Sequence, residues 1–204
     1  MRLIGMMDSP YVRRVAISLG LLGIRFEHRG VSVFRHYDEF AKLNPVVKAP
    51  TLITDDGTTL IDSSLILDYF DHRVEPARRL MPEEPGARLQ ALRLIGFALA
   101  ACEKTAQNVY EVELRPAERR HAPWVERVQK QLHAAYAELE ASLRGRDGWL
   151  CGDRLMQPDI TVAVSWRFTQ FVLPGVVDPQ HFPALAAFSA RAEALPEFVA
   201  TPLD

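Results

Sequence analysis

The chain has 204 residues, 48% of them hydrophobic and 25% charged, with a formal net charge of −2. This is ordinary globular composition, enough for one large or two small domains. Both signs of charge are spread along the chain without a basic tail, and no apolar run approaches the roughly 20 residues that cross a bilayer, so neither nucleic acid nor membrane is an expected partner.

Residues 2–6 read as a short buried strand. Ser9-Pro10 is a helix start, with a hydroxyl at the N-cap and proline at the first helical position. Val12, Val15, Ala16, Leu19 and Leu22 then recur at helical spacing, and Gly20 and Gly23 loosen the end. The adjacent Arg13 and Arg14 read as a solvated face, or Arg13, one helical turn after Ser9, as an offset to the Asp8 carboxylate. A second strand is expected within 25–33, and a short helix over 37–43 that Asn44-Pro45 stops. Thr51 to Thr54 and Thr59 to Ile61 flank Asp55-Asp56-Gly57, a hairpin signal. Pro50 opens the first of these strands, where its missing N–H is tolerated. Ser63 or Ser64 caps the next helix, with Leu65, Ile66, Tyr69 and Phe70 inward.

This β-α-β-α-β-β-α order implies a mixed four-stranded sheet with helices on its faces over residues 1–75. Three prolines then mark a linker, residues 76–86. Residues 87–204 read as an all-helical bundle, with helices near 87–115, 120–145, 158–172 and 183–194. The first segment, Met1-Arg2-Leu3-Ile4-Gly5, lacks the apolar region of a secretory signal. Cys102 and Cys151 form no disulfide framework and have no metal-ligand spacing, so a reducing, cytoplasmic setting and no metal are expected.

Ser9-Pro10-Tyr11-Val12-Arg13-Arg14, Asn44-Pro45, Lys48-Ala49-Pro50-Thr51-Leu52, Asp62-Ser63, Gly152-Asp153 and Asp159-Ile160 together carry a resemblance. In this order and at these separations the chain resembles, over nearly its full length, the cytosolic glutathione S-transferases of the bacterial, serine type. The resemblance implies an α/β thioredoxin-like N-terminal domain followed by an all-α C-terminal helical bundle. It implies an enzyme of thiolate transfer in detoxification, glutathione being the co-substrate with no separate cofactor, acting on a hydrophobic electrophilic small molecule. It leaves room for a weak glutathione-dependent peroxidase activity. A homodimer is also implied. Two other readings share the same residues: a non-catalytic binding or regulatory protein of this fold, and a dehalogenase or isomerase specialised on one metabolite.

By the same resemblance Ser9 is the hydroxyl that activates the glutathione sulfur, with Tyr11 the competing group. The redox motif C-x-x-C is replaced here by Ser9-Pro10-Tyr11-Val12, so the thiol must arrive with the ligand. Ala49, before Pro50, is expected to pair its backbone with the cysteinyl segment like an added strand. Lys48 is expected to reach a carboxylate of the tripeptide, and His36 the glycyl carboxylate. Asp62 suits the γ-glutamyl ammonium and Ser63, at a helix start, its carboxylate. Tyr11, Gln107, Tyr110, Glu111 and Trp166 are candidates for the electrophile site. Trp166 and Phe171 can equally fill the core. Asp159 matches the family's buried helix cap, but Met156 stands where Ser or Thr would complete the capping box.

Overall fold

The computed structural model describes residues 1–203. Contacts divide it into two units, 1–81 with 194–203, and 82–193. The first unit contains β1 (Arg2–Ile4), α1 (Pro10–Leu21), β2 (Glu27–Arg29), α2 (Tyr37–Leu43), β3 (Thr51–Ile53), β4 (Thr59–Leu60) and α3 (Ser63–Asp71). The sheet order is β2-β1-β3-β4, with β1 parallel to β2 and antiparallel to β3, and β3 antiparallel to β4. Leu3 lies opposite His28 on one side and Leu52 on the other. This is a thioredoxin-like sheet, and β2 is shorter than the run 25–33 expected for it.

One glycine sets how closely the first helix approaches this sheet. Gly5 follows β1 directly, and its φ of +136° is one that only glycine adopts freely. A Cβ there would come within 2.6 Å of Val12 Cγ2 and 2.9 Å of the Ala49 Cβ. Gly5 therefore lets β1, α1 and the Ala49 loop meet. Val12, Val15 and Leu19 of α1 are buried with Leu3, Ile4, Leu52 and Ile66. Ile4, Val31 and Phe40 form the core on the α2 side.

On α3 the helical spacing predicts more burial than exists. Ile66, Leu67 and Phe70 point inward, but Leu65 is 64% exposed and Tyr69 39%. The cap is also one position earlier than Ser63. Asp62 Oδ1 accepts hydrogen bonds from the amides of Ser64 (2.9 Å) and Leu65 (3.3 Å).

Arg13 and Arg14 are not a solvated face. Each is only 2% exposed. Arg13 donates to the carbonyls of Thr201 (2.7 Å, from Nε) and Phe198 (3.2 Å) and lies over the Phe198 ring. It thereby holds a short terminal helix, α8 (Pro196–Val199), against α1. Residues from 194 onward therefore pack with the first unit, so the helical unit ends at Glu193 and not at 204.

The second unit contains α4 (Pro85–Val109), α5 (Ala122–Leu143), α6 (Gln157–Val172) and α7 (Pro183–Glu193). Proline sits in the first turn of each, where its missing N–H costs nothing. The helix expected over 87–115 gives way at Tyr110–Leu114 to a π-turn, one wider turn that redirects the chain. In the core, Tyr136 donates to the Ser165 carbonyl (2.9 Å), shares a hydrogen bond with Thr169, and Thr169 meets Thr105 (2.6 Å). Burial pushes the Tyr136 hydroxyl far above the ordinary tyrosine range, so it stays protonated. Trp166 packs edge-on against Tyr136.

Asp159 supplies half of the capping box despite Met156. Its Oδ2 accepts from the Met156 amide (2.8 Å) and its Oδ1 from the Leu150 amide (2.7 Å). Burial raises its carboxyl to about 6, against the pull of those two amides. No helix among the described residues is long and apolar enough to cross a membrane.

Candidate functional site

The first unit gathers most of the predicted glutathione residues around the start of α1 and the loop before β3. Ser9 is the α1 N-cap, with φ −71° and ψ 120°. Its Oγ accepts from the Val12 amide at 3.4 Å, and its main-chain carbonyl accepts from Arg13 N–H at 2.9 Å. The hydroxyl proton is not committed to that cap bond. The hydroxyl lies at a helix terminus, where the backbone dipoles favour negative charge. Ser9 and Tyr11 are both half-buried.

The 44–51 loop is braced by residues that the sequence did not single out as functional. Asn44 is buried; its Nδ2 donates to Thr51 Oγ1 (2.8 Å), and its Oδ1 accepts from the Val46 amide (3.0 Å). Thr51 Oγ1 in turn donates to the Lys48 carbonyl (2.7 Å). This chain of bonds fixes the backbone on either side of Ala49. The signal was present in Asn44-Pro45 and Pro50-Thr51, but only as turn chemistry. The Ala49–Pro50 peptide bond is cis, Pro50 is buried, and the Lys48 side chain is exposed. Among the described residues neither the amide nor the carbonyl of Ala49 has a hydrogen-bond partner.

At α3, Asp62 uses one carboxylate oxygen for the cap and leaves Oδ2 uncommitted. Ser63 is 2% exposed, and its hydroxyl accepts from Arg14 Nη1 at 3.0 Å. The same nitrogen donates to Ser64 Oγ at 3.3 Å. A guanidinium only donates, so each serine oxygen must accept from it, and each O–H remains available to donate elsewhere. Arg14 is thus a brace under the α3 N-terminus, found only once the fold is known. His36 is the residue preceding α2; its Nδ1 accepts from the Ser32 amide (3.3 Å), leaving Nε2 as the outer nitrogen.

The electrophile candidates separate. Gln107, Tyr110 and Glu111 line one groove of about 430 Å³ at the end of α4, with Leu114, Arg115 and Trp124. Glu111 is buried as a brace: Oε2 accepts from Arg115 Nε (2.7 Å) and Oε1 from the His121 amide (2.8 Å). The His121 amide holds its carboxyl below the usual range despite desolvation, and Arg115 adds to that effect. Trp166 is not a groove residue. It is 5% exposed among Tyr136 and Phe182, because its position on α6 faces the bundle core. Phe171, expected in core or cleft, is 45% exposed on the opposite face. No group of three or more His, Cys, Asp or Glu residues among the described residues is disposed to hold a metal ion.

Comparison with known proteins gives a consistent result. Residues 3–78 match the family model for the glutathione S-transferase N-terminal domain, and residues 122–191 the model for the C-terminal domain. An uncharacterised GST-like protein of Escherichia coli (strain K12), YibF, is 29% identical over 185 residues, 89% of each chain. A crystal structure of a glutathione S-transferase from Methylobacterium radiotolerans, in complex with glutathione sulfonate, is 30% identical. It covers 98% of this chain and 93% of its own, with a TM-score of 0.91. A Pseudomonas fluorescens family member with bound glutathione is 27% identical, covers 100% and 98%, and has a TM-score of 0.85.

Proposed function

This chain belongs to the glutathione S-transferase family, and on that premise we propose that it binds glutathione against Ala49 and α3, ionises its thiol at Ser9, and transfers the thiolate to a small electrophile. The observation that carries this reading is the Ser9 hydroxyl at the mouth of α1, with its proton uncommitted. A thiol of ordinary pKa near 8.5 is about 3% ionised at pH 7, and lowering it by ~2 units needs ~2.7 kcal/mol. One charge-assisted O–H···S⁻ bond and a helix N-terminus supply energy of that order. The displaced proton leaves to solvent. The thiolate then forms a bond to the electrophilic carbon, whose leaving group departs with its electron pair.

Tripeptide placement follows from the uncommitted polar groups. The Ala49 N–H and C=O suit the cysteinyl backbone, Asp62 Oδ2 the γ-glutamyl ammonium, and the Ser63 hydroxyl and amide its carboxylate, the Ser64 and Leu65 amides being held by Asp62 Oδ1. Lys48 and His36 suit the glycyl carboxylate. That two of the relatives hold glutathione or its sulfonate supports this arrangement. The electrophile is assigned to the groove at the end of α4, beside Gln107 and Tyr110. A homodimer would cover the exposed Leu65 and Tyr69 of α3 and Leu89 and Leu92 of α4. A cytoplasmic setting would keep Cys102 and Cys151, which form no disulfide, reduced.

Calorimetric titration with glutathione, followed by turnover of an aryl halide, tests the proposal. Ser9→Ala should lower kcat by about tenfold at pH 7, since the helix terminus remains and the whole shift of ~2 units changes the ionised fraction only about 25-fold, and it should raise the pKa of bound thiol. Unchanged thiol ionisation in Ser9→Ala would move the role to another group. Tight glutathione binding with no turnover of any electrophile would favour a non-catalytic binder.

A further inference from the structure

We propose that the electrophile carries a carboxylate, and that Arg115 and Arg119 hold it in the groove at the end of α4. The inference rests on the reading of that groove as the second-substrate site and adds the chemical class of what enters it. The π-turn after α4 and the short turn that follows bring both guanidiniums to one wall. The acidic group of the groove, Glu111, is spent: both its oxygens accept bonds from the protein, one from Arg115 Nε and one from the His121 amide. Arg115 Nη1 and Nη2 and the whole Arg119 guanidinium have no partner among the described residues. The groove therefore presents donors in excess of acceptors, and the fork of a guanidinium matches a carboxylate.

The rest of the wall is apolar and aromatic. Tyr110 is 47% exposed, Leu114 55% and Trp124 40%. A volume of about 430 Å³ is that of a small-molecule site. A flat apolar body against Trp124 and Tyr110, ending in one carboxylate at Arg115 and Arg119, satisfies every surface. A purely apolar electrophile would leave Arg119 without a counter-charge and the outer edge of Arg115 without an acceptor, and a cationic one would be repelled by Arg119. With an aryl chloride the thiolate forms the C–S bond, chloride leaves with its electron pair, and the carboxylate is unchanged.

The test is a matched pair of substrates, 4-chloro-3-nitrobenzoate and 4-chloro-3-nitrobenzamide, at saturating glutathione. Each rate is divided by the uncatalysed rate with glutathione, because the amide is the more reactive ring. The full-length protein should favour the benzoate by about tenfold in kcat/KM, or ~1.4 kcal/mol, and the preference should fall with added salt. Arg119→Gln should cut it below about threefold, and Arg119→Lys should retain part of it, as one charged contact is exchanged for another. A merely structural Arg119 would lower both rates together and leave their ratio unmoved. Equal normalised rates in the parent protein, or an intact preference in Arg119→Gln, would overturn the proposal.

A second measurement does not depend on turnover. The unreactive 3-nitrobenzoate should bind more tightly than 3-nitrobenzamide, read by tryptophan fluorescence, and lose that advantage in Arg119→Gln. No advantage in the parent overturns the proposal. Failure of glutathione itself to bind would instead remove the transferase reading, while the nitrobenzoate measurement still judges the groove.

Discussion

Replacing Asp159 by asparagine should change how stability depends on pH. The folded carboxyl is raised from 3.8 to about 6 by burial. A raised folded value means the native state holds the proton more tightly than the unfolded chain. The stabilisation is complete below about pH 4 and is lost as pH rises through about 6. A shift of ~2 units corresponds to ~3 kcal/mol over the whole window. Between pH 5 and pH 7 the part lost is ~1.3 kcal/mol, equivalent to ~3–5 °C in melting temperature for a chain of this size. An asparagine side chain does not titrate, so the Asp159→Asn variant should lack this component. It should also be less stable by ~1–3 kcal/mol at pH 7, where the parent carboxylate accepts the Leu150 and Met156 amides on separate oxygens while the asparagine presents an NH2 group to one of them. Urea unfolding of both proteins at pH 5, 6 and 7, compared as a difference, isolates the effect. Parallel curves for parent and variant would mean that Asp159 titrates with an ordinary value and that the burial argument fails.

Gly5→Ala should destabilise the protein by ~1–3 kcal/mol through overpacking and a disfavoured backbone, because its Cβ would meet Val12 Cγ2 at 2.6 Å and the Ala49 Cβ at 2.9 Å. It should also weaken glutathione binding, and a variant with parent melting and affinity would refute the close approach. Arg14→Met should weaken glutathione binding by about tenfold as Ser63 and Ser64 lose their donor; calorimetry with an unchanged dissociation constant would show that the brace is irrelevant to the ligand. Tyr136→Phe should cost ~1–2 kcal/mol in urea unfolding, since the Ser165 and Thr169 partners lose a buried bond. An unchanged midpoint would place that network outside the stability of the helical unit.

The parts of this molecule that sequence made legible are those governed by near neighbours. The α2 helix falls on Tyr37–Leu43 as expected because Asn44-Pro45 stops it locally. Ser9-Pro10 starts α1 for the same kind of reason. The α5, α6 and α7 helices lie within a few residues of their periodic segments, since proline marks each first turn. What could not be read depends on distant partners. Arg13 and Arg14 look solvated in any local window; their burial is made possible by carbonyls near residue 200 and by serines near residue 63. Leu65 and Tyr69 share the apolar character of Ile66 and Phe70 but lie outside the arc that reaches the sheet. Trp166 could serve a cleft or a core, and the aromatic neighbours that decide it come from α5 and from Phe182. In the glutathione region the ligand-facing types were legible, while the Asn44–Thr51–Lys48 brace was not, because it joins residues whose local role is only to turn the chain.

The Arg13 bond to Thr201 spans 188 positions. During synthesis at about 5–20 residues per second, the guanidinium emerges roughly ten seconds or more before the carbonyls that will receive it. The opening α/β unit must wait, with a cation exposed where its finished form has none, until the helical unit has been translated in full. Trimming or tagging near residue 200 would therefore injure the packing of α1, 185 to 188 positions away along the chain.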